Sequence, residues 1–309
     1  MKIVSRIFLL VLLVLFTSSA SVGAASSKRR IPPAIKLNVD GMTRNFILHI
    51  PDAYTADHRV PLVVVLHGRG GSGPKAAQNL EWMEKADEEN FVVAFPSAKG
   101  TPKTWNSGHF KLSYERDDVT FLKRVMEYAE RNYSIDGRRI FIVGEGSGGM
   151  MAYRMAGEMP DKFAAVGVFG GSIGATVRGK SYRVPQPTQP VPLIHIHGMR
   201  DPKVPFGGAS LQEPKYIDMA DATLSTEMWA DACGTESKPE VSFTSEGRVI
   251  INGYKRGDVK NFVVLIAISY GTDVWPGSVK DRRQRKDAPP IIDATTVFWD
   301  FFKKHSPQS

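Results

Sequence analysis

The sequence predicts an α/β protein with a mainly parallel central sheet flanked by helices. Continuously apolar runs of strand length recur along the chain, separated by segments with apolar residues at helical spacing. Pro61 to Leu66 and Phe91 to Pro96 are two such runs, and their lack of alternation is typical of strands buried on both faces. Strands and helices that alternate in this way are joined by right-handed crossovers. A chain of this length can bury one large core, so we expect a single domain over residues 26–309.

The other elements follow from the same patterns. An antiparallel hairpin is expected around Asp40-Gly41, and a helix from about Lys75 to Glu89. A second helix is expected from Asp117 to Tyr133, where acidic residues favour the amino end. Ser172 to Pro190, rich in Gly, Pro and basic residues, is expected to be an irregular excursion above the sheet. Further buried strands and a last amphipathic helix are expected at Arg139 to Val143, Phe163 to Phe169, Pro192 to Ile196, Phe262 to Ile268 and Asp293 to His305.

The first 25 residues have the order of a secretory signal peptide. Lys2 and Arg6 form a basic start, Ile7 to Phe16 an apolar run, and small residues lead to Ala24 and Ala25. The run is shorter than the roughly 20 residues that span a bilayer as a helix. We therefore expect a secreted or periplasmic protein with no stable insertion in a membrane.

The composition excludes several classes of protein. Cys233 is the only cysteine, so no intramolecular disulfide can form. The net charge of +8 is spread along the chain and lacks the dense basic stripe of a nucleic-acid-binding protein. No metal-ligand cluster is evident in the sequence, and we expect neither a metal nor a cofactor.

The most informative segment is Gly144-Glu145-Gly146-Ser147-Gly148-Gly149, between a predicted strand and a predicted helix. This is the frame of a nucleophile elbow, a sharp turn in which G-x-S-x-G places a serine at the apex. Gly144 and Gly148 occupy the two small positions, and Gly146 stands where the serine belongs. Glycine adopts the strained apex backbone without the roughly 1–3 kcal/mol that it costs other residues. In the alternative register Ser147 is the apex nucleophile, and Glu145 is forced into the tight contact between strand and helix.

Seven short motifs occur in one order between Asn45 and His305. They are Leu66-His67-Gly68, Thr104-Trp105-Asn106, Asp117-Asp118-Val119, Gly148-Gly149-Met150-Met151, His195-Ile196-His197-Gly198 leading to Asp201-Pro202, Trp275-Pro276-Gly277, and Phe298-Trp299-Asp300-Phe301-Phe302. Together they resemble the α/β-hydrolase fold, and more narrowly the secreted esterases grouped with feruloyl esterases and polyhydroxybutyrate depolymerases. The resemblance implies the fold, whereas the activity depends on the residues of the site.

The resemblance also implies roles for individual residues. It makes Asp201 the acid of a catalytic triad, and the backbone N–H groups near Arg69 and of Ser147 the oxyanion hole. The serine of the family falls on Gly146, and its histidine, two residues before the tryptophan of Trp-Pro-Gly, falls on Asp273. The groups that form the bond and move the proton are then absent, while the orienting acid remains.

No other histidine is expected to take over the missing role. Only His305 follows Asp201 in the chain, and it lies at the end of the last helix. His67, His195 and His197 are expected to be structural groups with backbone partners.

Ligand contacts are expected near the missing triad. Trp105, His109 and Trp275 are the candidates in the flanking loops. Asp201 and Asp273 would face one cavity, where they could hydrogen-bond sugar hydroxyls, coordinate a cation or act as an acid and base. The plainer interpretation is that Asp273 is a solvated loop residue. The basic run from Lys280 to Lys286 would lie at the rim, either as a site for anionic ligands or as a solvated loop.

These observations predict a secreted esterase homologue that lacks serine-hydrolase activity and is a ligand-binding or regulatory protein. Its expected ligand is an ester-bearing or anionic polysaccharide, or a polyester. The rival hypothesis is an active carboxylic-ester hydrolase that uses Ser147 in the shifted elbow. A purely structural exported protein is a third hypothesis, which requires a closed cavity.

The N-terminal pattern gives a direct test of export. We expect the mature protein to begin near Ala25 or Ser26 and to be found outside the cytoplasm, because a signal peptidase cleaves after small residues. N-terminal sequencing of native material measures this, and a sequence that starts at Met1 would contradict it.

Overall fold

The structure is a computed structural model that describes residues 30–108, 116–177, 180–208, 217–286 and 290–306. The chain divides into two units, Met1–Arg30 and Ile31–Ser309, and the second unit contains every element described below. The expected signal peptide and His109 lie outside the described residues. Within the described ranges, no helix has the length and apolar character needed to cross a membrane.

The described residues contain thirteen strands. These are β1 (Ile35–Val39), β2 (Met42–His49), β3 (Val60–Leu66), β4 (Val92–Pro96), β5 (Ile135–Glu145), β6 (Ala165–Phe169), β7 (Gly174–Val177), β8 (Lys180–Arg183), β9 (Leu193–Gly198), β10 (Ile217–Met219), β11 (Glu240–Thr244), β12 (Val249–Arg256) and β13 (Val259–Ile268). Ten of them form one sheet in the order β1-β2-β4-β3-β5-β6-β9-β13-β12-β11. The six strands from β4 to β13 in this order pair in parallel, and the strands at both edges pair antiparallel.

The helices of the described residues are α1 (Gly73–Asn79), α2 (Trp82–Glu89), α3 (Asp118–Asn132), α4 (Ser147–Glu158), α5 (Ala222–Ala232), α6 (Val279–Gln284) and α7 (Ala294–Lys304). At most of their amino ends a serine or aspartate side chain accepts a hydrogen bond from a backbone N–H three residues later. The capping residues are Ser72, Asp117, Asp221, Ser278 and Asp293.

The helices cover both faces of the large sheet. Leu62 and Val64 of β3 belong to the core under α3, α4 and α5, whereas Val63 and Val65 belong to the core under α1, α2 and α7. All four side chains are fully buried, since alternate residues of a strand point to opposite faces. This arrangement confirms the predicted α/β class with a mainly parallel sheet and explains the unbroken apolar runs.

Three elements differ from the sequence-based prediction. The helix expected from Lys75 to Glu89 is two helices, because Glu81 between them has a left-handed backbone with φ 59°. The segment Ser172 to Pro190, expected to be irregular, contains β7 and β8, which form a separate sheet in the order β10-β7-β8. The strands β11 and β12 were missed because one is largely exposed and the other has mixed burial, so neither has a continuous apolar run.

Two glycines allow α4 to pack directly on the sheet. A β-carbon on Gly144 would lie 2.3 Å from the carbonyl carbon of Gly148, and one on Gly148 would lie 2.4 Å from the carbonyl oxygen of Leu66. Both distances are far shorter than a van der Waals contact, so only glycine fits at either position. The helix therefore begins directly above the carboxyl ends of β3 and β5.

This contact predicts a position-specific effect on stability. Gly144→Ala should lower the free energy of unfolding by about 2–4 kcal/mol, because its methyl group collides with rigid backbone. Urea denaturation measures the change. The matched control is Gly137→Ala on the same strand, where the new β-carbon would meet only Glu130 Oε1 at 3.4 Å. Equal stabilities of the two variants would contradict the close approach.

Candidate functional site

Neighbouring parallel strands end at one edge of the sheet and bring five loops together. Leu66 is opposite Gly144, and Glu145 is opposite Phe169. Farther along the sheet Phe169 pairs with Ile196, and Gly198 with Ile268. The loops that follow β3, β5, β6, β9 and β13 are therefore adjacent, and they carry most of the residues singled out in the sequence.

The turn between β5 and α4 is made by Gly146. Its backbone has φ 51° and ψ −117°, and Ser147 is already the first residue of α4. The Gly146 N–H donates to Phe169 O at 2.9 Å, and its carbonyl accepts from Met150 N at 3.0 Å. A β-carbon built on Gly146 would meet nothing within 4 Å. The turn is thus held firmly by its neighbours while the space beside Gly146 is open.

Ser147 follows the turn residue, and its hydroxyl group points into the protein. Its Oγ is buried and has no hydrogen-bond partner among the described residues. Its backbone N–H belongs to the first turn of α4, where a helix offers no internal acceptor.

Glu145 is a site residue to which the sequence analysis assigned no role in the observed register. Its Oε1 accepts a hydrogen bond of 3.1 Å from the Gly68 N–H in the loop after β3. Burial raises the pKa of the Glu145 carboxyl, as does the charge of Asp273, while the Gly68 N–H and the charges of Lys203 and Lys280 oppose the rise. The carboxyl therefore lies against the loop that the resemblance assigns to oxyanion binding. The signal in the sequence that could have indicated this role is an ionisable residue next to the turn glycine.

The loop after β3 is fixed by a buried histidine. His67 donates from Nδ1 to Gly68 O at 2.7 Å and accepts at Nε2 from Ala98 N at 3.0 Å, which defines one neutral tautomer. Burial lowers the pKa of His67 to about 4. The structural role expected for this histidine agrees with these bonds. Arg69, whose backbone was assigned to the oxyanion hole, follows in the same loop with an exposed side chain.

The two tryptophans proposed as ligand contacts lie in the interior. Trp105 is 1% exposed and donates from Nε1 to His67 O, whereas Trp275 is 2% exposed and donates to Thr295 Oγ1. The structure does not bring either indole to a surface where a ligand could touch it.

Asp201 lies at the start of the loop that follows β9. It is 6% exposed, and its Oδ1 accepts from the backbone N–H groups of Lys203 and Val204 at 2.7 and 2.9 Å. Burial raises the pKa of the Asp201 carboxyl, and the negative charge of Asp273 adds to this effect. The charge of Asp273 is thus near enough to Asp201 to influence its ionisation.

Among the residues that the structure describes, Asp273 pairs with a lysine and with no histidine. Lys203 Nζ lies 2.5 Å from Asp273 Oδ2, with side-chain exposures of 70% and 18% respectively. The hydrogen bond to Asp273 raises the pKa of the Lys203 ammonium. This ion pair joins the loop after β9 to the loop after β13 across the top of the site. Asp273 is therefore paired, in contrast to the solvated loop residue of the plainer interpretation.

A directed chain of hydrogen bonds runs beneath the loop that begins at Asp201. His197 Nε2 donates to Val204 O at 2.7 Å, so its Nδ1 must accept from His195 Nε2 at 3.0 Å. The Nδ1 of His195 then accepts from the Tyr153 hydroxyl at 3.0 Å. Burial lowers the pKa of His197 to about 4 and that of His195 farther, so both rings are neutral. The chain supports the loop of Asp201, and His197 Nε2 lies 3.8 Å from Asp201 Oδ2.

The basic run after Trp275 is largely helical, and some of its side chains form ion pairs and hydrogen bonds within the protein. Arg282 of α6 pairs with Glu81 and donates to Gly277 O, and Arg285 pairs with Asp281. Lys280, Arg283 and Lys286 remain exposed. In the described part of the chain no group of three or more His, Cys, Asp or Glu side chains could hold a metal ion.

Comparison with known proteins identifies the class to which this fold and site belong. The model of the phospholipase/carboxylesterase family matches residues 53–233, and the chain belongs to this family of α/β-hydrolases. It is 32% identical over 281 residues to the protein named esterase NocK of Nocardia uniformis subsp. tsuyamanensis, covering 83% of this chain and 76% of that protein.

A second relative and a solved structure extend the comparison. The chain is 28% identical over 265 residues to the protein named feruloyl esterase C of Aspergillus niger, covering 84% of this chain and 83% of that protein. The acetyl xylan esterase of Aspergillus awamori shares the fold, with a TM-score of 0.59 and 16% identity over 83% of this chain and all of that one. The esterase class inferred from the motifs is thereby confirmed.

The buried histidines predict a loss of stability in mild acid. His67 and His197 have a pKa of about 4 in the folded protein and 6.5 ordinarily. Between these values the unfolded chain binds protons that the folded protein does not, so stability falls as the pH falls from about 6.5 towards about 4. Each should contribute a loss of about 2 kcal/mol at about pH 5, whereas the raised pKa values of Glu145 and Asp201 act in the opposite sense.

Urea denaturation at about pH 6.5 and about pH 5 measures the difference. His197→Gln should reduce it by about 2 kcal/mol, since this variant has no ring to protonate. His58→Gln, at a side chain that is 77% exposed, is the control and should leave the difference unchanged. A difference for His197→Gln as large as that of the wild type would contradict the assignment of a neutral buried ring to His197.

Proposed function

We propose that this carboxylesterase-family protein lacks serine-hydrolase activity and uses the cleft at the carboxyl edge of its sheet to bind a ligand. The observation that carries the proposal is the combination of Gly146 at the turn with Asp273 in an ion pair to Lys203. A serine hydrolase needs a nucleophile at the turn and an imidazole that takes and returns its proton. In this proposal Gly146 and Asp273 occupy those two positions, and Asp201 is a retained acid without its partner.

Glu145 supports the proposal for an independent reason. The tetrahedral intermediate of ester hydrolysis carries a negative oxygen that backbone N–H groups must stabilise. Here a carboxyl side chain already accepts from Gly68 N, next to Arg69, whose N–H is the proposed donor. A negative charge at this point opposes a second one, and a protonated Glu145 still occupies the Gly68 N–H beside that donor.

The rival hypothesis of a Ser147 nucleophile is not favoured. Ser147 is the first residue of α4, and its buried Oγ has no partner among the described residues that could act as a base. The neutral His195 and His197 are engaged in the chain below the loop of Asp201. Within the proposed function, the Ser147 N–H is a donor to a bound ligand and not part of a nucleophile.

Esters of polysaccharides are the ligand class that we favour. The relative named feruloyl esterase C supports an ester-bearing ligand, and the expected export would place the protein where plant or cell-wall polymers occur. A polyester, as the resemblance to polyhydroxybutyrate depolymerases implies, remains the alternative ligand. No cofactor is required for either.

Restoring the missing groups tests the proposal. Wild type, Gly146→Ser, Asp273→His and the double variant should be assayed for aryl-ester hydrolysis and for labelling by a fluorophosphonate probe. The wild type and both single variants should be nearly inactive, and the double variant at least about tenfold more active than either, because serine and imidazole act as a unit. Gly146→Ser should also lower stability by about 1–2 kcal/mol, since serine must adopt a positive φ.

Ser147→Ala is the matched control. It should change neither labelling nor hydrolysis by the wild type, because Ser147 contributes no nucleophile in this proposal. Stoichiometric labelling of the wild type that Ser147→Ala abolishes would establish the rival hypothesis. A double variant no better than its parents would refute the assignment of Gly146 and Asp273 to the catalytic positions.

A further inference from the structure

An exposed aromatic platform lies beside the cleft. Tyr270 is 60% exposed at the end of β13, and the Arg200 guanidinium lies 4.4 Å from the centroid of its ring. Met199 next to Arg200 is 42% exposed. We call Met199, Arg200 and Tyr270 the rim platform. Exposed aromatic and arginine side chains are typical of binding surfaces, since they offer a large contact area and charge-assisted hydrogen bonds.

The backbone beneath the rim platform is firmly built. Met199 N donates to Ile268 O at 2.9 Å, and Arg200 N donates to Gly271 O at 2.8 Å. A β-carbon on Gly198 would lie 2.4 Å from the carbonyl carbon of Gly271, so the two chains touch without side chains between them. The platform is therefore held in place before any ligand arrives, and it leads directly to Asp201 and Asp273.

The charge available at the platform is positive. Lys203 is neutralised by Asp273, but no described carboxylate lies within ion-pair distance of Arg200 or of Lys280 on α6. The acidic groups of the cleft are less accessible, since Asp201 is 6% exposed and the Asp273 side chain 18%. An anion that approaches the platform thus meets the exposed Arg200 guanidinium, which no described carboxylate neutralises.

We propose that the rim platform binds the uronate residues of an acidic polysaccharide. The apolar C–H face of a sugar ring packs on the exposed Tyr270 ring, while the carboxylate pairs with the Arg200 guanidinium, whose fork matches two carboxylate oxygens. Lys280 attracts the charge of a neighbouring residue along the polymer. This inference deepens the proposed function by naming the polymer class, and it rests on that function for the role of the cleft.

The test compares a charged polymer with its neutral ester and with a neutral polymer of another sugar. Binding of the full mature protein to polygalacturonate, to its fully methyl-esterified form and to neutral xylan is measured by isothermal titration calorimetry and affinity electrophoresis. Polygalacturonate should bind at least about tenfold more tightly than its methyl ester. Arg200→Gln should abolish this preference, and Tyr270→Ala should weaken binding of both forms at least about fivefold.

Two matched controls distinguish binding at the rim platform from nonspecific attraction to exposed basic or aromatic side chains elsewhere. Arg59→Gln removes an exposed arginine before β3, at the opposite end of the parallel strands, and Phe243→Ala removes a 65% exposed ring on β11. Both should leave the affinities unchanged within about twofold. Equal binding of the charged and esterified polymers, no binding at all, or an Arg59→Gln loss as large as that of Arg200→Gln would overturn the inference. Ester hydrolysis by the wild type would overturn the proposed function instead, so the two failures are distinguishable.

Discussion

The backbone of α4 packs directly on the backbone of β3 and β5, and the positions of the turn and the neighbouring loops depend on that contact. Gly148 lies so close to Leu66 and Gly144 that a β-carbon at either glycine would be 2.4 Å or less from a main-chain atom. The sharp turn at Gly146 reverses the chain within this short distance. The Gly146 N–H donates to Phe169 O, which ties the turn to the end of β6.

The interior beneath the loop of Asp201 contains polar side chains that hydrogen-bond to one another. Burying an ionisable side chain is tolerable only when it is neutral or fully hydrogen-bonded. The chain from Tyr153 through His195 and His197 to Val204 O satisfies each group once and leaves both rings neutral. The charged groups above this chain lie in the loops after β9 and β13, where Lys203 and Asp273 are partly exposed. A neutral, hydrogen-bonded layer thus lies beneath charged loops.

The pattern of apolar residues along the chain was sufficient to predict the parallel strands of the large sheet. The runs at Pro61 to Leu66 and Phe262 to Ile268 became central strands, because a strand buried on both faces has a distinctive composition. The edge strands β11 and β12 and the small sheet of β7, β8 and β10 have no such signal, since their burial depends on distant partners. The break at Glu81 was equally invisible, as glutamate seldom adopts a positive φ.

The site was predictable where it depends on backbone and unpredictable where it depends on side-chain partners. The glycines around Gly146 are sufficient to indicate a tight turn. The Lys203 to Asp273 pair joins residues seventy positions apart, and the Glu145 to Gly68 bond joins the end of β5 to the loop after β3. Neither follows from spacing. The burial of Trp105 and Trp275 likewise follows from tertiary packing, and their type alone suggested ligand contact.

Asp201 illustrates why an aspartate at the position that the resemblance gives to the triad acid is weak evidence for catalysis. Both of its strong hydrogen bonds go to N–H groups of its own loop, at Lys203 and Val204. The Val204 carbonyl in turn receives the last bond of the buried histidine chain. An aspartate at this position therefore stabilises the loop whether or not an imidazole approaches it. The same reasoning applies to Gly144 and Gly148, which the packing of α4 requires in an active or an inactive protein. Evidence about catalysis must therefore come from the two other positions that the resemblance assigns to the triad, which Gly146 and Asp273 occupy in the proposed function.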